Sequence, residues 1–119
     1  YAQNAQASAI SELEAEYLSQ GIESFNATRG EALWHKDFIY SKTGEIRNCA
    51  SCHSPDLTKQ GTHKKTRKVI EPMAPSINPD RYTDTKKINK WFLRNCKWTI
   101  GRECTAQEKG DLLAYLKKL

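Results

Sequence analysis

Cys49-Ala50-Ser51-Cys52-His53 is a C-x-x-C-H pentapeptide, and the rest of the chain is read around it. Two thiols three positions apart on one helical turn face the same way. Both can add to the two vinyl groups along one side of a porphyrin, and the imidazole next in sequence then reaches the iron. The pattern predicts one covalently attached haem c, with Cys49 and Cys52 as thioether residues and His53 as an iron ligand. A redox C-x-x-C pair leaves the histidine unexplained. A zinc site needs a second C-x-x-C or an H-x-x-x-H, which the sequence lacks. A tether also makes ligation by one histidine robust, because the iron stays when the bond opposite it breaks.

Length and composition agree with such a group. The 119 residues suffice for one domain, and a hydrophobic content of 38% is thin for a core. A buried porphyrin supplies the apolar mass that small domains need. No run approaches the ~18 apolar residues of a membrane span. Residues 1–9 have neither a basic n-region nor an apolar h-region, so any signal peptide is expected to be already removed. Haem c attachment and paired cysteines both belong to an oxidising compartment, which points to the periplasm. The net charge of +5, with Lys59, Lys64, Lys65, Arg67 and Lys68 beside Lys86, Lys87 and Lys90, suits an acidic redox partner at the haem edge. Nucleic-acid binding is not favoured, because Trp91 and Phe92 are needed in the core.

Periodicity reads as helices separated by loops. Residues 8–19 carry Ile10, Leu13, Tyr17 and Leu18 at helical spacing, within an N-terminal extension covering residues 1–24. The haem-binding core covers residues 25–119. Its first helix, residues 26–35, has Asn26 as cap and carries Gly30 and Trp34. Lys42-Thr43-Gly44 marks a turn that closes a small hairpin within residues 39–46. Residues 57–82, rich in proline and lysine, read as a loop wrapped over the porphyrin. Asp84 or Thr83 caps a helix running to about Asn95, in which Ile88, Trp91, Phe92 and Asn95 share one face. Thr105-Ala106-Gln107-Glu108 is a capping box opening the last helix, with Leu112, Leu113, Tyr115, Leu116 and Leu119 beyond it.

Cys96 and Cys104 remain after the haem takes its two thiols. An even pair most simply forms a disulfide, which fixes the backbone beside Cys96; the alternative is two buried thiols. A loop of this length contributes at most ~2–3 kcal/mol through chain entropy.

Gly30 and Trp34 ahead of C-x-x-C-H, with Tyr115 on the final helix, resemble the class I cytochrome c pattern. That resemblance implies an all-α fold around one haem, with its first and last core helices crossing at a small residue. It also implies a proline carbonyl, here that of Pro55, accepting the His53 Nδ1 proton. In that class a methionine usually supplies the sixth ligand, and Met73 is the one methionine present. Met73 precedes the third helix, whereas the class places its ligand after it. His35 and His63 are rivals that would make a bis-histidine carrier.

The runs Trp91-Phe92-Leu93-Arg94-Asn95-Cys96 and Gly101-Arg102-Glu103-Cys104-Thr105 closely resemble the sphaeroides haem protein (SHP) group of class I cytochromes. In that group an asparagine directly before a disulfide cysteine is the sixth ligand, a role that falls here on Asn95, with Cys96 and Cys104 as the bridge. An amide oxygen is a hard, weak donor, tolerable to ferric iron and poor for softer ferrous iron. The resemblance therefore implies release of Asn95 on reduction and binding of O2, NO or CO at the opened site. It also implies partners, namely a dihaem cytochrome c and a membrane cytochrome b. A permanently Met73-ligated electron shuttle is the competing expectation. No acid–base group is placed to deliver protons, so a carrier and ligand-binding protein is expected rather than a dedicated enzyme.

Overall fold

The computed structural model describes every residue except Tyr1 and Pro55, with side chains from Ala5 onward. The order is α1 (Ala2–Leu18), α2 (Ala27–His35), β1 (Phe38–Ile39), β2 (Ile46–Arg47), α3 (Ala50–His53), β3 (Gly61–Thr62), β4 (Val69–Ile70), α4 (Thr85–Thr99) and α5 (Ala106–Leu116). The protein is thus mainly helical, with two small antiparallel hairpins. No helix among the described residues is long and apolar enough to cross a membrane.

The helices begin where short polar side chains can satisfy their first amides. Asn26 Oδ1 accepts from the Arg29 amide at 3.0 Å, and Asp84 Oδ1 from the Lys86 amide at 2.9 Å. At α5 the Thr105 hydroxyl accepts from the Glu108 amide at 3.1 Å while Glu108 accepts from the Thr105 amide at 2.8 Å, a complete capping box. Helix α4 ends where Gly101 turns to φ +89°, and the amides of Ile100 and Gly101 both return to the Cys96 carbonyl.

Helices α2 and α5 cross at Gly30, where a Cβ would overlap the Asp111 carbonyl and press on Tyr115 Cβ at 3.0 Å. Only glycine allows this approach. Ala9, Leu13 and Tyr17 of α1 pack with Ile88 of α4 and Leu113 of α5, which docks the N-terminal helix on the core. A second cluster, Trp34, Leu57, Met73, Leu112 and Leu116, lies against Cys49 and Ala50.

The crossing also buries a carboxylate. Asp111, 4% exposed, accepts from Arg29 Nε at 2.9 Å, the Asn26 amide at 2.8 Å and Gln107 Nε2 at 2.9 Å. Burial alone raises its pKa, but these hydrogen bonds and the Arg29 charge outweigh it and hold the group below its ordinary value. The unfolded carboxyl, near ~3.9, binds more protons than the folded one. Its stabilisation is therefore complete above that pH and is lost as pH falls through the folded value. Asp111→Asn should cost roughly 1–2 kcal/mol at pH 7, discounted for the half-exposed Arg29. Urea midpoints should show the gap from wild type shrinking as pH falls below the ordinary carboxyl range; a gap independent of pH would contradict this account.

Three elements differ from the sequence reading. Helix α1 starts six residues earlier than residue 8, helped by Gln6, whose Nε2 donates to the Asn78 carbonyl at 3.1 Å. Residues 57–82 are not all irregular, since they contain the β3–β4 hairpin, which pairs Gly61 with Ile70 and Thr62 with Val69. Helix α4 runs on to Thr99, so Asn95 sits inside it rather than after it. Its buried stripe is Ile88, Cys96 and Thr99, with Phe92 packed on both clusters. Trp91, expected to face inward, is 51% exposed.

Candidate functional site

Asn48 shapes the C-x-x-C-H turn from the residue ahead of it. Its Oδ1 accepts from the Ser51 amide at 2.7 Å, its carbonyl accepts from Ser51 Oγ at 2.7 Å, and its Nδ2 donates to Asp37 at 2.8 Å. This closes one short helix, α3, which ends at Ser54 with φ +74°. Cys52 and His53 are buried, Cys49 is half-buried, and neither cysteine is in a disulfide. Behind them the β3–β4 hairpin packs so closely that a Cβ on Gly61 would overlap the Cys52 carbonyl and lie 2.7 Å from His53 Cα. The same hairpin that the sequence reading missed is thus the backing of the motif.

The imidazole is in the state a metal needs. Burial, followed by the charges of Arg81 and His63, pushes the His53 pKa down to about 4, so the ring is neutral at pH 7 and keeps a lone pair. Trp34 lies against His53, ring centroids 5.1 Å apart. Among the described residues His53 Nδ1 and Trp34 Nε1 are buried without a hydrogen-bond partner. The acceptor expected for His53, the Pro55 carbonyl, lies outside the described residues. A neutral imidazole and two thiols on one turn form the donor set that haem c requires, and the residues present fit that group.

Helix α4 carries Asn95, the residue that the resemblance offers as sixth ligand. Trp91, Asn95 and Trp98 fall at i, i+4 and i+7, a stripe beside the buried one. Asn95 is half-buried, between half-exposed Trp91 and half-buried Trp98. Directly after it, Cys96 is joined to Cys104 by a disulfide, Cα–Cα 5.7 Å, which ties α4 to the start of α5. Trp98 is held from the other side by Arg47 of β2, whose guanidinium lies 3.6 Å from its ring centroid. Arg47 was not singled out in the sequence reading. Nothing in a local pattern marks a strand arginine as buried.

Met73 is 8% exposed and walled into the cluster that includes Trp34, whose ring lies against His53. Its carbonyl accepts from Tyr82 Oη at 2.8 Å, and the next amide donates to the Leu57 carbonyl at 3.0 Å. His35 is exposed at the end of α2. His63 Nδ1 accepts from the amides of Lys65 and Thr66 at 3.1 and 3.2 Å. Its ring lies against Trp98, centroids 5.2 Å apart.

Comparison with known proteins follows the same lines. A family profile described as a domain of unknown function (DUF1924) matches residues 20–116. The cytochrome c-type protein SHP of Cereibacter sphaeroides is 46% identical over 94 residues, 76% of this chain and 69% of that protein. The structure of oxidised SHP, an oxygen-binding cytochrome c, superposes with a TM-score of 0.79 at 40% identity, covering 92% of this chain and 96% of the other. The solution structure of cytochrome c'' from Methylophilus methylotrophus, a study of haem-ligand detachment, gives 0.75 at 29% identity, covering 98% and 94%.

Proposed function

Because the chain belongs to the DUF1924 family and, with SHP, to the c-type cytochromes, we propose that it is a redox-gated binder of diatomic ligands with Asn95 as the gate. The protein is a monohaem cytochrome c carrying one covalently bound haem c. When bound, that group would supply an iron that changes oxidation state and can take one small ligand. Cys49 and Cys52 hold the porphyrin by thioethers, and His53 gives its neutral imidazole to the iron. Asn95 would give its carboxamide oxygen to the ferric iron and release it on reduction, because a hard amide oxygen is a poor donor to ferrous iron. Its NH2 then serves as a hydrogen-bond donor to O2, NO or CO.

One observation carries this reading. Asn95 stands on a stretch of α4 clamped on both sides, by the Cys96–Cys104 bridge and by the Arg47–Trp98 contact, while Met73 is engaged in the apolar cluster. Haem-ligand detachment in cytochrome c'' supports the same reading. Exposed lysines along residues 59–68 and 86–90 suit an acidic electron donor, for which a dihaem cytochrome c with a membrane cytochrome b is the proposed source. We place this exchange in the periplasm.

Absorption spectra of both oxidation states, with and without CO, test the proposal. A ferrous five-coordinate, high-spin spectrum that converts promptly on adding CO is the expected result. A thioether-to-iron band in the oxidised protein would instead establish the Met73 shuttle, and a low-spin ferrous state without that band a bis-histidine carrier.

A further inference from the structure

Arg47 is a buried guanidinium, 6% exposed, that neither apolar cluster contains. It lies between two rings, 3.8 Å from the Tyr40 centroid and 3.6 Å from that of Trp98. Nη1 donates to the Trp98 carbonyl at 2.8 Å, and Nε and Nη2 donate to the Glu45 carboxylate at 3.3 and 3.0 Å. Burying a cation is costly unless its charge is paired and its donors are met, and both conditions hold here. The carbonyl it meets is one of the last four of α4, where a cation also suits the helix dipole.

The two ends of this contact are informative. Arg47 stands two residues before Cys49, on the segment that leads into the attachment turn. Trp98 stands one turn beyond Asn95, on the same stripe of α4. The stack is a strut between the haem-attachment segment and the helix carrying the gate. His63 of the second hairpin touches the same tryptophan, ring centroids 5.2 Å apart, so both hairpins bear on Trp98.

We propose that Arg47 is a positioning residue for Asn95: by stacking on Trp98 and capping its carbonyl, it holds the Asn95 turn of α4 toward the haem and sets how readily the carboxamide is displaced. The proposal rests on the reading of Asn95 as sixth ligand. Lysine cannot replace Arg47, because one ammonium cannot fill the gap between two rings while reaching both the Trp98 carbonyl and Glu45.

The test is cyanide titration of the ferric holoprotein in wild type, Arg47→Lys, Asn95→Val and the double variant, with circular dichroism to verify the fold. Arg47→Lys should bind cyanide about tenfold more tightly than wild type, because the competing carboxamide is held less firmly. In the Asn95→Val background the same change should alter cyanide affinity less than twofold, since no gate remains to be positioned. Equal effects of Arg47→Lys in both backgrounds, or none in either, would overturn the proposal and leave the Asn95 assignment intact. A ferric spectrum unchanged by Asn95→Val would remove that assignment and the proposal with it. Should Arg47→Lys fail to fold, Tyr40→Leu carries the same test. It removes one stacking face, keeps every guanidinium hydrogen bond, and should shift cyanide affinity about threefold, again only when Asn95 is present.

Discussion

A Cys49→Ser, Cys52→Ser double variant will not keep its haem through denaturing electrophoresis, and the chain will lose most of its cooperative thermal unfolding. Both effects come from one turn. Cys49 and Ala50 border the cluster of Trp34, Leu57, Met73, Leu112 and Leu116, so a porphyrin anchored by Cys49 and Cys52 would complete a core that is thin at 38% hydrophobic residues. Serine keeps the size and the helix geometry of each position but cannot add to a vinyl group. His53 alone then has to hold the iron, and every breakage of that bond releases the cofactor. The single variants should retain haem through one thioether and unfold between the two extremes. Haem staining of the denatured double variant at wild-type intensity would show that the attachment lies elsewhere.

Asn95→Val should produce the second large effect, confined to the ferric state. Valine matches asparagine in size, and the two have similar helix propensity, so α4 should retain its stability. The ferric spectrum should change to that of an iron lacking the amide, while the ferrous spectrum stays as in wild type. Removing a donor that favours the oxidised form raises the reduction potential, by about 59 mV for each tenfold of lost ferric affinity. Spectroelectrochemistry measures both. A potential within ~10 mV of wild type together with an unchanged ferric spectrum would show that the sixth position is filled by something other than Asn95.

Much of the frame was legible because its causes are local. The caps at Asn26, Asp84 and Thr105 bond to amides two or three residues ahead, and all three helices start where those side chains place them. The glycine at the α2–α5 crossing was legible through family resemblance, and its physical reason, the overlap of any Cβ with the Asp111 backbone, appears only in three dimensions. The β3–β4 hairpin went unread because two residues per strand carry no period, and its turn, closed by Arg67 at φ +63°, is crowded with lysines. Helix α4 was read as ending at Asn95, whereas its last turn is held by Gly101 and the Cys96–Cys104 bridge. Trp91 was assigned to the core by spacing alone, yet the buried stripe is rotated toward Phe92 and Cys96.

By itself the sequence pointed to one covalently bound haem c, and it offered Cys49, Cys52 and His53 for it because they fall within one turn and need no distant partner. It also determined which residues were candidates for the sixth ligand. Only tertiary structure decided how those candidates are held: Met73 packed beside Trp34, His63 with its Nδ1 taken by two amides, and Asn95 between a disulfide and a buried arginine. The reason is physical. Thioether spacing is a property of consecutive residues, whereas the setting of Asn95 depends on contacts between distant ones, such as the hydrogen bond from Arg47 to Trp98 across 51 positions of the chain.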